Sequence, residues 1–364
     1  MRRPTRSERG DGEHPVKAEH LTLAIGMGET IDGLDLSKGR FAKTFIGGGV
    51  FTKAQLDEVD LREADGRETV FDRCHLTGAM FNGANLRRAV FHQCELAHAD
   101  FRNAHLHGAT FSECSLSHAQ FAQAWMGMAT FSRCRLDHAS LSEAALESAV
   151  FTDCSLIDVN ADGSEWKHTC VLQCDLSLLT WAGARMTRAT FSKTALRRKS
   201  FEGLALDGCQ FSFADLSEAN FSGVSLRQCN FQGATLDRAD FSHAVGPNAL
   251  FCDAQGEQAN FSQARLRQAL FTGGRFPAAR FDGADLYQCH FAHAQLAGAS
   301  LAGAELTYAD FRHADLVNAD LRQATMLRTC LHGAKAAGAQ MTDRARALET
   351  DPELDRAERW TASA

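Results

Sequence analysis

The feature that most constrains this chain is a five-residue period. From about Ile31 to Met341 a large apolar residue returns at every fifth position, shown without a break by Phe71, Leu76, Phe81, Leu86, Phe91, Leu96, Phe101, Leu106, Phe111 and Leu116. Two positions before each centre stands a small residue, as in Cys74, Ala79, Ala84, Ala89, Cys94, Ala99 and Ala104. The residue between them is polar and often acidic or an amide, as in Asn85, Asp100, Asp215, Asn220, Asp240 and Asp310. Neither the 3.6-residue period of an α-helix nor the two-residue alternation of a flat strand puts such a pattern on one face. A chain that repeats every five residues must turn at the same interval.

A second period lies over the first. Cys74, Cys94, Cys114, Cys134, Cys154 and Cys174 recur every twenty residues, as one column of a twenty-residue coil would. The unit small-(Asp/Asn)-(Leu/Phe)-polar-any resembles the pentapeptide-repeat family, whose motif is A(D/N)LXX, and the resemblance spans residues 31–341. It implies an all-β fold, a right-handed quadrilateral β-helix with one pentapeptide per side. Residues 1–30 would then be an N-terminal extension or cap, and 342–364 a polar C-terminal tail. Asp351-Pro352-Glu353 reads as a helix start in that tail, a cap residue followed by Pro at the first helical position. About fifteen coils at the ~4.8 Å strand spacing make a rod on the order of 70 Å long.

Composition fits a dry axis. The chain of 364 residues has 25 Phe against 2 Tyr, and a buried hydroxyl needs a partner that a narrow apolar interior does not offer. Phe centres ten residues apart fall on opposite walls and would meet across the axis, with Leu centres closing the remaining width. The 12 Cys, in a chain whose basic first ten residues are followed by no apolar run, read as thiols of a reducing cytoplasm. No stretch of about 18 apolar residues offers a membrane span. A net charge of −7 argues against a nucleic-acid partner, which calls for a basic excess.

Two stretches depart from the pattern. Over 157–200 the centres become Ala161, Trp166, Val171, Trp181 and Met186, and the small slots become Val159, Ser164, Thr169, Leu179 and Lys199, although the five-residue phase survives. Trp166, Trp181, Arg185, Arg188, Lys193, Arg197, Arg198 and Lys199 make this stretch the leading candidate for contact with a partner, the alternative being a solvated charged face. Over 245–258, Gly246, Pro247 and Gly256 displace apolar residues, which reads as a loop pushed off one wall.

Other candidates carry less chemistry. His98, His118 and His138 recur at twenty residues on an outer corner and are weak candidates for a metal. The Cys column shares one direction and lacks the convergent spacing of a zinc site, so no metal or other cofactor is expected. No G-x-S-x-G elbow, P-loop or H-E-x-x-H occurs, and a packed interior leaves no substrate pocket, which sets an enzyme aside. The expectation is a non-enzymatic protein–protein interaction scaffold of a bacterium, located in the cytoplasm. For its setting the resemblance implies an accessory protein of a type VI secretion system or, alternatively, a DNA-mimicking topoisomerase (gyrase)-binding protein. It also implies a possible homodimer through a terminal coil, which the charged tail would oppose.

Overall fold

A computed structural model describes residues 16–358 and residue 360. The first fifteen residues of the expected N-terminal extension, and the last four of the tail, lie outside the described residues. The rest is a parallel four-sided β-solenoid of about 16 coils.

Each pentapeptide makes one wall segment and one corner. The centre N–H donates to a carbonyl nineteen residues on, as from Phe81 to Asp100 at 2.7 Å. The corner is closed by the small residue, whose N–H returns to the centre's carbonyl, as from Ala84 to Phe81 at 2.9 Å. The corner residue takes a left-handed φ, +67° at Gly78 and +59° at His98. A non-glycine side chain there costs energy that the ladder bonds on either side offset. The residue just after the centre makes no ladder bond through its N–H, so Pro247 and Pro277 fit there without loss.

On the first wall the pairing is long enough to form strands: β1 Thr30–Asp32, β2 Val50–Thr52, β3 Val70–Asp72, β4 Val90–His92, β5 Thr110–Ser112, β6 Thr130–Ser132, β7 Val150–Thr152, β8 Cys170–Leu172 and β9 Thr190–Ser192. They pair in parallel and in order, each residue with the one twenty places on, as Phe91 with Phe111. β10 (Asp320–Leu321) and β11 (Gln340–Met341) pair likewise on the third wall. The remaining segments hold single-residue bridges at the same offset, such as Asp100 with Gln120.

Inside, the expected Phe columns meet. Phe91 stacks on Phe111 at 4.7 Å between centroids and Phe101 on Phe121 at 4.9 Å. Across the axis Phe101 meets Phe111 edge to face at 5.8 Å and 88°. Each such pair contributes roughly 0.5–1.5 kcal/mol beyond the area it buries. In the Cys column the thiols donate to the carbonyl of the coil before, as from Cys94 to Phe71 at 3.2 Å.

Both ends are covered. Helix α1, Ala18–Gly26, buries Leu21 and Ile25 against the first coils. Ile25 Cδ1 lies 2.9 Å from where a Cβ on Gly49 would stand, so the empty small slot at Gly49 is what admits it. At the other end Asp343 and Thr350 accept the open N–H groups of Met326 and Gly333 at 2.9 and 3.1 Å. Helix α2, Pro352–Glu358, follows, with Asp351 Oδ1 accepting from the N–H of Glu353 at 2.8 Å.

The loop expected over 245–258 is not there. Val245, Leu250 and Gln255 pair with Arg265, Leu270 and Arg275 in an unbroken ladder. The two glycine centres are filled from neighbouring coils. A Cβ on Gly246 would stand 3.1 Å from Leu226 and 3.2 Å from Leu266, and one on Gly256 would stand 2.7 Å from the Phe276 ring. Side chains above and below have grown into the space that these glycines vacate.

Candidate functional site

The one place where the body of the rod opens, among the described residues, lies inside the first irregular stretch. Thr180 pairs back with Asn160 and Arg185 with Glu165, while Ser200 pairs forward with Asn220 and Ala205 with Ser225. Between these coils neither Thr180–Ser200 nor Arg185–Ala205 forms, and no other pairing is missing from the body of the rod among the described residues. The third and fourth walls are therefore split, while Cys170–Thr190 and Asp175–Ala195 keep the first and second closed.

Side-chain size in the small slot accounts for the split. On the third wall Val159, Leu179 and Lys199 follow one another in a column otherwise held by residues such as Ala139 and Ala219. On the fourth wall the split lies between the slots of Ala184 and Leu204, while the coils of Leu204 and Val224 stay paired through Ala205 and Ser225, so that wall parts along with the third. Coils ~4.8 Å apart have no room for two long side chains stacked in a slot shaped for a methyl group, so the coils part.

What opens is a cleft of about 410 Å³ lined by Leu179, Trp181, Gly183, Lys199, Ser200 and Leu204, with Arg198 and Glu202 at its rim. Lys199 is 8% exposed. Its ammonium donates to the carbonyl of Leu179 and lies 5.5 Å from the centroid of the Trp181 ring. Burial pushes this ammonium below its ordinary value, and Asp175 pulls weakly the other way. The Trp181 Nε1–H donates to the Ser200 carbonyl at 3.0 Å.

Of the eight residues proposed from sequence, the structure brings three to this cleft: Trp181, Arg198 and Lys199. Trp166 is fully buried in the axis, its indole N–H donating to Ser164 Oγ at 2.7 Å, and offers no contact surface. It replaces a Leu centre and needs the Ser in its small slot as a partner, a core role that outward display would not explain. Arg185 lies toward Glu165 at 4.0 Å, Arg197 toward Asp215 at 3.6 Å, and Arg188 and Lys193 occupy other exposed corners. Four walls thus divide the basic run into single charges. Arg198 itself is tied to Glu218 at 2.9 Å, and that bond raises its guanidinium further above the ordinary range.

His98, His118 and His138 stack as one outer column with centroids 4.8 and 4.9 Å apart and rings within 12° of parallel. Parallel rings in a column do not converge on a point. The group of His, Cys, Asp or Glu whose ligand atoms do converge, among the described residues, is His313, His332 and Glu358. Glu358 Oε2 lies 3.0 Å from His313 Nε2 and 3.1 Å from His332 Nε2. The backbone N–H of Asp351 donates to His332 Nδ1 at 3.1 Å, which leaves the ring proton of a neutral His332 on Nε2, facing the carboxylate. With one lone pair taken by an amide and the other nitrogen protonated, the buried His332 ties α2 to the rod and is poorly set to hold a cation. No periodicity announces this cluster, because Glu358 reaches it from outside the repeat. Trp125, 55% exposed and edge-on to His105 at 3.9 Å, also escapes a search for breaks in the pattern. The repeat phase alone places it in an outward position.

Models of the pentapeptide-repeat region match residues 44–121 and 104–181, and models of pentapeptide repeats (8 copies) match 205–242, 234–273, 279–316 and 304–343. The unmatched residues 182–204 fall across the cleft. Among curated proteins none matches. Among solved structures, a trypsin-treated form of QnrB1, a plasmid-mediated fluoroquinolone resistance protein, is 23% identical over 50% of this chain and 89% of its own, with a TM-score of 0.38. HetL, a protein of heterocyst differentiation regulation from the cyanobacterium Nostoc sp. strain PCC 7120, is 20% identical over 89% of this chain and 97% of its own, with a TM-score of 0.29. With family models covering most of the repeat and the coil geometry that the motif demands, this chain belongs to the pentapeptide-repeat family.

Proposed function

We propose that the chain is a non-enzymatic scaffold for protein–protein interaction and that its partner engages the rod at the cleft between the coils of Trp181 and Lys199. One observation carries the reading. The rod is filled by side chains within and its coils are paired along all four walls, and among the described residues a wall pairing is lost only there, beside the stretch 182–204 that the family models leave out. A departure that leaves a lysine buried without a carboxylate costs stability, and a contact made at that site offsets the cost.

The finer reading sets the protein in a bacterial cytoplasm as an accessory of a type VI secretion system. The test is an affinity capture from the host with the intact chain and with Arg198→Glu. Partners captured by the intact chain and lost by the variant support the cleft, and components of a secretion apparatus among them support the setting. Partners retained equally by both overturn the cleft as the contact site.

The competing reading, a DNA-mimicking gyrase-binding protein, requires one continuous acidic face. Charges on this rod are instead interleaved and neutralised locally. Asp60, Asp100 and Asp310 are each paired with the Arg two residues on at 2.6–2.8 Å, and Lys43–Glu63, Arg133–Glu113 and Lys167–Glu147 pair between coils. A gyrase supercoiling assay left unchanged by the purified protein is the expected outcome; inhibition or protection would restore that reading.

A further inference from the structure

We infer that the cleft between Trp181 and Lys199 takes the free carboxyl end of an extended peptide whose last side chain is apolar. The inference rests on the cleft being the contact site and names the chemistry of what enters it.

The charge comes first. Lys199 is buried, and its ammonium has a carbonyl and an indole face for company. Among the described residues no carboxylate comes within 4.0 Å of it. The nearby carboxylates are otherwise placed: Glu218 is bonded to Arg198, Glu202 is exposed at the rim, and Asp175 acts from a distance. A buried cation without a counter-ion favours an anion that can reach it.

The backbone comes second. Where the walls part, the ladder bonds from Trp181 N–H to Ser200 O, from Gly183 N–H to Glu202 O and from Met186 N–H to Ala205 O are not made, nor is the return bond from Ser200 N–H to Leu179 O. Ser200 O and Leu179 O accept from Trp181 Nε1–H and Lys199 Nζ instead, so the gap presents the N–H groups of Trp181, Gly183, Met186 and Ser200 and the carbonyls of Glu202 and Ala205 unpaired along two walls, as a sheet edge does. A peptide has the alternating N–H and C=O groups to pair with them, and a free small carboxylate does not.

The walls and the volume come third. Leu179, Leu204 and the Trp181 ring give the cleft an apolar lining, and about 410 Å³ lies within the range of small-ligand pockets, room for one side chain and its terminal carboxylate.

The probes are acetyl-Gly-Ser-Val-Leu with a free carboxyl end, the same peptide amidated, and 4-methylpentanoate, each titrated calorimetrically into the full chain. Binding of the free acid about tenfold or more tighter than the amide is expected, the loss typical of one charge-assisted hydrogen bond. Lys199→Met, with an unchanged or higher melting temperature, should abolish that preference. Equal binding of acid and amide, or no binding of either, overturns the inference, and 4-methylpentanoate binding as tightly as the peptide overturns its peptide part. Captured partners that depend on Arg198 alongside an indifferent acid–amide pair would sink this inference and leave the contact reading standing. A clear acid preference with partners indifferent to Arg198 would do the reverse.

Discussion

The indole N–H of Trp181 reaches the backbone carbonyl of Ser200 at 3.0 Å, an acceptor that the coils on either side give to a backbone N–H. One coil back, the N–H of Ala161 donates to Thr180 O at 2.8 Å; one coil on, that of Phe201 donates to Asn220 O at 2.8 Å. Beside it, Lys199 Nζ serves the Leu179 carbonyl, which Ser200 N–H would otherwise reach. Two side chains thus span a gap that two backbone rungs leave open.

Trp181→Phe keeps an aromatic ring in the axis and removes the N–H. The Ser200 carbonyl then loses its partner at the wall of the open cleft, which costs about 1 kcal/mol. Denaturant unfolding should register that loss, and hydrogen exchange should quicken at the amides of 199–206 while those of 111–131 stay protected. Equal exchange in the two proteins would mean that the indole bond does not hold the coils.

Lys199 sets a pH dependence whose sign follows from its burial. Its folded value lies below the ordinary 10.5, so between the two the unfolded chain keeps a proton that the folded chain has released. Stability therefore rises with pH through that window, and the cost of the buried ammonium is felt in full below it. Lys199→Met should be more stable than the natural protein at pH 7.5, with an advantage that shrinks toward pH 10.5. Urea melts at the two pH values measure it, and a constant difference would refute the assignment.

Oversized side chains in the small slot should be sufficient cause of the split. Leu179→Ala with Lys199→Ala restores the residue type that Ala139 and Ala219 present on the same wall, and the Thr180–Ser200 pairing should then close. Recovered backbone hydrogen bonds contribute about 0.5–1.5 kcal/mol each, which offsets part of the apolar burial that the Leu179 side chain provides. The direct reading is slowed exchange of the Trp181 and Ser200 amides; exchange as fast as in the natural protein would place the cause elsewhere.

The walls and the axis were legible because the five-residue phase is a geometric statement: Phe101 and Phe111 are ten residues apart and so must face each other. The cleft was legible only in part. Leu179 and Lys199 stood out as wrong sizes for their slot, but which rungs would fail depended on how two neighbouring coils shared the strain. Trp166 and Trp181 are both Trp at a centre position with buried rings, yet the indole N–H of Trp166 finds Ser164 within its own segment, while that of Trp181 reaches across to Ser200 on the next coil. Gly246 and Gly256 misled for the opposite reason, because an empty centre breaks the pattern in sequence and is filled in space by Leu226, Leu266 and Phe276. The His332–Glu358 contact joins the repeat to the tail, and no period predicts a contact between a repeat and a segment outside it.

That contact should decide whether the tail stays docked. His332→Ala removes both the acceptor of Asp351 N–H and the donor to Glu358, and His313 alone then holds the carboxylate. Limited proteolysis should cut within 342–358 several times faster in the variant, with the rod melting close to the natural temperature. Glu358→Gln, which keeps a hydrogen-bond acceptor, should cut at an intermediate rate. Cleavage rates equal to the natural protein would show that the end of the rod is covered without the clasp.

The axis should punish a single oxygen atom as well as a missing ring. Phe111 is fully buried, stacked on Phe91 and Phe131 at 4.7 Å and edge-on to Phe101 and Phe121. Phe111→Ala empties one layer of the rod, and neighbours pinned by their own ladders collapse poorly into the space, so the loss should be roughly 3–5 kcal/mol. Phe111→Tyr adds a hydroxyl to a layer walled by aromatic rings. It costs about 1–3 kcal/mol as an unpaired buried polar group, against a ring otherwise unchanged. Denaturant melts of both variants, followed by the circular dichroism of the coil, measure the two losses. A Tyr variant as stable as the natural protein would mean that the axis holds water or a hidden acceptor, and the near absence of Tyr would then need another cause.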